Sequence, residues 1–250
     1  MELSLKGYTA LITGGSKGIG EATAMKMAQM SARIAVLARG LPLAQEVASK
    51  IVAAGGEAMA VSADVAIKEQ VDKAVLSVVE KFGSVDILVN NAGYTEAHPF
   101  VDETEAYWDK LIGINLKGTF FATQAALKYM IDKKFGRIIN VASDSGRTGN
   151  PGEVVYGATK AAVMLFTKAL AREVARYGIN VNCVSPGPTN TDLMKDQPEK
   201  MIEGLKKLIP LRRIGEPREL ADVIAFFCSK ESDYITGQVL SVSGGLTMVG

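Results

Sequence analysis

Histidine, cysteine and tryptophan are scarce in this chain, with one His, two Cys and one Trp among 250 residues. The only histidine, His98, precedes Pro99 in an expected loop, so neither a Ser-His-Asp triad nor a zinc centre has a ready donor set, and no metal is expected. Cys183 and Cys228 stand in apolar stretches without a CxxC spacing and read as small buried hydrophobes, as suits an intracellular protein. An excess of either charge is also missing. Lys and Arg total 28 against 27 for Asp and Glu, which argues against nucleic acid or an acidic membrane as partner and leaves a small molecule. No run of about 18 apolar residues is uninterrupted. The opening Met1-Glu2-Leu3-Ser4-Leu5-Lys6 lacks the basic-then-apolar pattern of a leader, and the expected location is the cytoplasm.

What the chain does have is apolar content, 48% hydrophobic, enough for one full core and a single domain over residues 1–250. Short β-rich runs alternate with helical patterns: strands at 8–13, 33–38, 57–62, 85–90, 137–141, 180–185 and 238–242. Between them come helices at 18–30, 41–54, 68–82, a helical stretch ending near 134, then 156–177, an insertion over about 192–208, and 217–229. Runs such as Ile34-Ala35-Val36-Leu37 and Ile87-Leu88-Val89 are apolar throughout, so both sheet faces should be covered. The expectation is an α/β fold with a doubly wound, parallel, seven-stranded sheet of Rossmann type.

Ligands of such sheets bind beyond the carboxyl ends of the strands. That singles out Gly14, Ser16, Lys17, Gly18, Ile19 and Gly20 after the first strand, Arg39 after the second, and Asp64 with Val65 after the third. Asn91, Ala92 and Gly93 follow the fourth, residues 143–149 the fifth, and Pro186, Gly187, Thr189 and Thr191 the sixth. The first of these loops spaces its glycines as G-x-x-x-G-x-G and runs straight into a helix, whose free N–H groups and dipole favour a pyrophosphate. It is neither G-x-G-x-x-G nor a P-loop. A plain strand-to-helix connector is the bland alternative.

The glycine loop, Asn90-Asn91-Ala92-Gly93, Ser143, Tyr156-Gly157-Ala158-Thr159-Lys160 and Pro186-Gly187 occur in order, and together they resemble the short-chain dehydrogenase/reductase family from about Leu5 to Met248. The resemblance implies a doubly wound fold, NAD(H) or NADP(H) as cofactor, a secondary alcohol or ketone as substrate, and a homotetramer. It further implies that Ser143 positions the substrate oxygen, that Tyr156 is the acid/base, and that Lys160 holds the nicotinamide ribose while lowering the tyrosine pKa. Asn115 fits the fourth catalytic position, holding a water behind Lys160. A buried Asn that satisfies backbone groups at a helix kink is the alternative there.

The chemistry of the pair is readable without the family. Tyr156 and Lys160 lie four apart at a helix start, hence on one face. A tyrosine is a poor base near neutral pH, and lowering its pKa by about three units requires roughly 4 kcal/mol of preferential phenolate stabilisation, part of which an ammonium supplies. Tyr129 and Lys133 share the spacing but fall just before a strand, at the amino end of the sheet, away from any cofactor. No Gly-x-Ser-x-Gly elbow is present.

Cofactor choice turns on the end of the second strand, where NAD-selective sites place an acid. Here stand Ala38 and Arg39, with Lys17 in reach from the glycine loop, and the reading is NADP(H), with NAD(H) as the alternative if Arg39 is only a solvated charge. Asp64 resembles the family's acid at the adenine. For the substrate, Tyr94, His98, Asp144, Arg147, Asn150 and Glu153 are candidates; Arg147 reads equally as a surface or subunit contact. The insertion over about 190–210 puts Met201, Ile202, Leu205 and Leu208 on one stripe and Lys195, Lys200, Lys206 and Lys207 elsewhere, which suits a lid over an apolar substrate. The Ser143-Asp144-Ser145-Gly146-Arg147 loop and the C-terminal segment look similar to the alicyclic 2-hydroxycyclohexanecarboxyl-CoA dehydrogenases within the family, although those carry an acid where Ala38-Arg39 stand. A 3-oxoacyl thioester and a free cyclic ketone are comparable alternatives. Outside catalysis, a dinucleotide sensor needs only the cofactor pocket, and the intact Ser143, Tyr156 and Lys160 argue against it.

Overall fold

A computed structural model describes residues 3–195 and 198–248. The chain alternates β1 (Thr9–Thr13), α1 (Gly18–Gln29), β2 (Arg33–Ala38), α2 (Leu41–Ala53), β3 (Ala58–Ser62), α3 (Lys68–Phe82) and β4 (Ile87–Asn90). Then come α4 (Glu105–Leu111), a π-helical stretch (Ile112–Lys117), α5 (Gly118–Lys133), β5 (Gly136–Val141) and the one-turn α6 (Ser145–Thr148). The remainder is α7 (Val154–Val174), β6 (Ile179–Pro186), the short α8 (Asp192–Lys195), α9 (Glu199–Leu208), α10 (Pro217–Cys228) and β7 (Val239–Val242). The seven strands form one parallel sheet in the order β3-β2-β1-β4-β5-β6-β7. Because the chain goes outward from β1 to β3 and then returns to place β4 on the other side of β1, a crevice opens beyond the ends of β1 and β4.

Alternation along each strand feeds two cores. Ile12, Ile34, Val36 and Val89 pack with Met27 of α1, Val47 and Ile51 of α2 and Leu220, Ile224 and Phe227 of α10. Leu11, Ala35, Leu37 and Leu88 pack on the opposite face with Val71, Val75 and Val78 of α3, Ala122 and Met130 of α5, and Leu170 and Val174 of α7. This is why those strands are apolar on both faces. The stretch Val154–Tyr177 is long and apolar enough to cross a membrane by length and composition, but it lies against the sheet with Val163, Thr167, Leu170 and Val174 buried. Cys183 and Cys228 are buried free thiols.

Two local departures from the expected elements bear on the site. The helical stretch ending near 134 is interrupted by the π turns at Ile112–Lys117. There the Asn115 side chain leaves the helix to bond Tyr94, donating from Nδ2 to its O (2.8 Å) and accepting at Oδ1 from its N (2.9 Å). The insertion consists of α8 and α9, and no residue of α9 is buried within the chain. The side chain of Lys195 lies outside the described ones.

Candidate active site

The glycine loop is shaped by what stands behind it. Gly14 (φ +63°) passes so close to the β4 loop that a Cβ there would come within 2.8 Å of Ala92 Cα, and Gly18 (φ +56°) faces Thr191, whose Cγ2 would be 3.3 Å from an added Cβ. Asn91 Nδ2 donates to Thr13 O (3.1 Å) and Gly14 O (3.0 Å), while Thr13 Oγ1 accepts from the N–H groups of Asn91 (3.0 Å) and Ala92 (3.1 Å). Thus Asn91, Ala92 and Thr13 tie the loops after β1 and β4 together at the crevice. Thr13 was not among the sequence candidates; its only signal is a hydroxyl ending an otherwise apolar strand. Helix α1 opens at Gly18 with no side-chain cap, so its first turn is free to hold an anion.

At the neighbouring strand ends, Ala38 is buried while Arg39 and Lys17 are exposed. Asp64 Oδ1 accepts from Ala66 N (2.9 Å), fixing the turn after β3, and Val65 is buried against Gly118. Asn90, one residue before the loop, is structural: its Nδ2 donates to Thr123 Oγ1 and Asn140 Oδ1, both 2.9 Å away. Across the crevice Thr189 is buried and donates to Gly187 O (2.9 Å). This cradle, with an uncapped helix start and two exposed cations, fits a phosphorylated dinucleotide.

Tyr156 and Lys160 stand in the first turns of α7, on the side facing the end of β5. Ser143, after β5, stands within electrostatic reach of the Tyr156 hydroxyl. Lys160 Nζ is buried, donates to Val141 O (3.0 Å), lies 5.7 Å from the centre of the Tyr156 ring, and would stand 3.5 Å from a Cβ on Gly93. Asn115 Oδ1 would be 3.3 Å from that same Cβ, so Asn115 and the lysine both border the space beside Gly93. Ser143, Tyr156, Lys160 and Asn115 are therefore brought together, next to Asn91, Ala92 and Gly93. Tyr129 and Lys133 are not: Lys133 pairs with Asp86 ahead of β4, at the far end of the sheet.

The expected lowering of the Tyr156 pKa is not what the protein alone produces. Burial pushes the phenol up to about 12, the nearby Ser143 hydroxyl pulls it down, and the Glu153 carboxylate raises it. Burial likewise brings Lys160 down to about 8, close enough to neutrality that it is still an ammonium at pH 7. Tyr156 is consequently a protonated phenol, a donor to an oxygen that gains negative charge.

The substrate candidates separate into two groups. Tyr94 lies beneath Lys110 Nζ (3.6 Å to the ring centre) and meets Tyr107 edge-on, and His98 also packs edge-on against Tyr107. His98 N donates to Gly152 O (3.0 Å), joining the two loops that flank the mouth. Asn150 and Glu153 form a cluster with Ser145, whose hydroxyl donates to Glu153 Oε2 (2.6 Å) and accepts from Asn150 Nδ2 (2.8 Å). Arg147 turns instead to the backbone, Nη2 donating to Val239 O of β7, and Asp144 is buried.

A family profile described as Enoyl-(Acyl carrier protein) reductase matches residues 14–247. The chain is 41% identical to the 3-oxoacyl-[acyl-carrier-protein] reductase of Synechocystis sp., covering 98% of this chain and 99% of that protein. It is 39% identical to the enzyme of the same name from Aquifex aeolicus, over 98% and 100% of the two chains. It belongs to the short-chain dehydrogenase/reductase family. Among solved structures, a 3-oxoacyl-[acyl-carrier protein] reductase from Brucella melitensis superposes with a TM-score of 0.93 at 32% identity, covering 98% of this chain and 93% of that one. A double variant of a Serratia marcescens short-chain dehydrogenase/reductase gives 0.91 at 35%, over 97% and 98%. Membership carries the reaction class: this short-chain dehydrogenase/reductase is an NAD(P)(H)-dependent oxidoreductase acting on a CH–OH or keto carbon, in keeping with the cofactor reading from Ala38 and Arg39.

Proposed function

We propose that this chain reduces the keto group of a 3-oxoacyl thioester with NADPH. The observation that carries the reading is the nearness of Ser143 to the protonated Tyr156 phenol, with Lys160 and Asn115 beside Gly93. Ser143 holds the keto oxygen; Tyr156 gives it a proton as negative charge builds there; the Lys160 ammonium orients the ribose and offsets the phenolate left behind. The nicotinamide supplies the hydride. Asn115 shapes the wall behind Lys160 by fixing the backbone of Tyr94. Gly14, Ser16, Gly18, Ile19 and Gly20 take the pyrophosphate at the α1 start, and Lys17 and Arg39 the 2′-phosphate. Asp64 and Val65 lie at the adenine, with Asn91, Ala92, Pro186, Gly187, Thr189 and Thr191 along the remainder.

The names of the Synechocystis, Aquifex and Brucella relatives favour a thioester over a cyclic ketone. The apolar stripe of Met201, Ile202, Leu205 and Leu208 on α9, unburied within the chain, serves as a lid on the acyl group in residues about 190–210 of a single domain. Phe120, Val154 and Leu165 on α5 and α7 remain 37%, 48% and 68% exposed, which supports a homotetramer joined through those helices. A cytoplasmic setting fits the two buried free thiols. The test follows loss of NADPH absorbance with a 3-oxoacyl-CoA, a cyclic ketone, a 2-enoyl-CoA and a simple ketone in parallel. Highest kcat/KM on the 3-oxoacyl thioester is expected, and preference for the enoyl or the cyclic compound refutes the substrate reading.

A further inference from the structure

Immediately after Ser143 stands a buried acid whose side-chain hydrogen bonds go to two serines on β6 and β7. Asp144 is 5% exposed. Its Oδ1 accepts hydrogen bonds from Ser185 Oγ of β6 (2.6 Å) and Ser241 Oγ of β7 (2.7 Å), residues paired across those two strands. Its backbone N–H donates to Pro186 O (2.9 Å), and its carbonyl accepts from the N–H groups of Arg147 (2.9 Å) and Thr148 (3.0 Å) that close the α6 turn. Pro186 in turn leads into Gly187, whose N–H donates to Val242 O (3.1 Å). One residue thereby joins the serine loop, the turn after β6 and the edge strand β7. Arg147 adds a second tie between the same loop and β7 at Val239.

A buried carboxylate is an expensive way to make a clamp, the more so because among the described residues neither its Oδ2 nor Arg147 Nε has a hydrogen-bond partner. What the position requires is an oxygen able to accept two hydroxyls at once, in line with the strand ends. Stability alone would be served by apolar packing of Ser185, Ser241 and Asp144 together, since replacing all members of a buried polar group is often neutral or favourable. The clamp instead fixes where the residue before it points. We propose that Asp144 is a positioning residue, holding Ser143 in register with Pro186 and Gly187 so that the serine hydroxyl meets the substrate oxygen while the nicotinamide side of the crevice faces the carbon that bears it.

The inference rests on the proposed reaction, and it is tested by a double-mutant cycle between Asp144 and Ser143. kcat and KM for ketone reduction at saturating NADPH are measured for Asp144→Ala and Asp144→Asn, each with Ser143 intact and with Ser143→Ala, together with NADPH affinity by fluorescence. Residues that act as a unit are strongly non-additive. With Ser143 present, Asp144→Ala should lower kcat by about 10- to 100-fold with nucleotide affinity nearly unchanged; with Ser143→Ala the further loss should be under about threefold. Asp144→Asn keeps the accepting oxygen and should retain kcat within about threefold of wild type. An equal loss in both backgrounds, or an Asn variant as impaired as the Ala variant, overturns the proposal. If Asp144→Ala does not fold, Ser241→Ala removes one of the two clamping hydroxyls and enters the same cycle, with a smaller loss that must again vanish without Ser143. A wild type that reduces small ketones but no acyl thioester defeats the substrate reading and leaves this cycle intact; one that reduces no ketone refutes both.

Discussion

Replacing Lys160 by Met should make the protein more stable and inactive at once. The lysine carries its ammonium in a buried position where its pKa falls from the ordinary 10.5 to about 8, a shift that corresponds to about 3 kcal/mol of destabilisation at neutral pH. Met has similar length and no charge to desolvate. Against the gain stands the hydrogen bond to Val141 O, whose loss leaves a buried carbonyl unpaired at about 1 kcal/mol. The net expectation is about 2 kcal/mol of added stability, or roughly 4–8 °C in Tm for a chain of this size. Equilibrium denaturation of nucleotide-free wild type and variant, at equal protein concentration, measures the difference. Because the folded pKa lies below the unfolded one, the folded state binds fewer protons between pH 8 and 10.5, and wild-type stability rises there by a contribution the variant lacks. Burial raises the pKa values of Tyr156 and Cys183 to about 12, and those groups act in the opposite direction, but they are common to both proteins and largely cancel in the difference. The advantage of Met should therefore shrink above pH 8 and be gone near pH 10. A variant less stable than wild type at pH 7, or a difference that ignores pH, would show that Lys160 is not held there against its own solvation.

The remaining tests address the reaction. Tyr156→Phe should lower kcat by at least about 100-fold with NADPH affinity retained, because it removes the donated proton and little volume; near-wild-type turnover would exclude Tyr156 as the acid. With Tyr156 protonated throughout, kcat/KM for ketone reduction should hold level to about pH 8 and then fall as free Lys160 loses its proton, so a profile flat to pH 10 would exclude the ammonium from the reaction. Arg39→Ala should weaken NADPH binding by roughly 10- to 150-fold at fixed ionic strength while leaving NADH nearly unaffected, and equal losses for both would remove Arg39 as the phosphate contact. Ala38→Asp combined with Arg39→Ala should reverse the preference, since the carboxylate repels a 2′-phosphate and accepts from a free ribose hydroxyl; continued NADPH preference in kcat/KM would place selectivity elsewhere.

The parts of the site that were legible in the sequence are those whose geometry is set within a few residues. An apolar strand, a turn of glycines and a helix start are local, and they place Gly14, Gly18 and Gly20 without knowledge of any neighbour; the i, i+4 spacing does the same for Tyr156 and Lys160. What escaped depends on partners far along the chain. Ile112–Lys117 reads as ordinary helix until Tyr94, 21 residues away, offers its backbone to Asn115. Arg147 reads as a surface or substrate-facing charge until β7 arrives 92 residues later to accept its hydrogen bond. The burial that raises the Tyr156 pKa in the chain without nucleotide is hidden for the same reason, whereas the neighbouring Lys160 is visible in sequence. A weak trace of the Asp144 clamp does exist: Ser185 and Ser241 are hydroxyls near the carboxyl ends of their strands, and Ser185, being buried, must find a partner. In a doubly wound sheet those ends are also where ligands sit. A polar residue closing an apolar strand is therefore either a ligand contact or the support of one, and Thr13 beneath Asn91 and Ala92, like Ser185 and Ser241 beneath Asp144, is of the second kind.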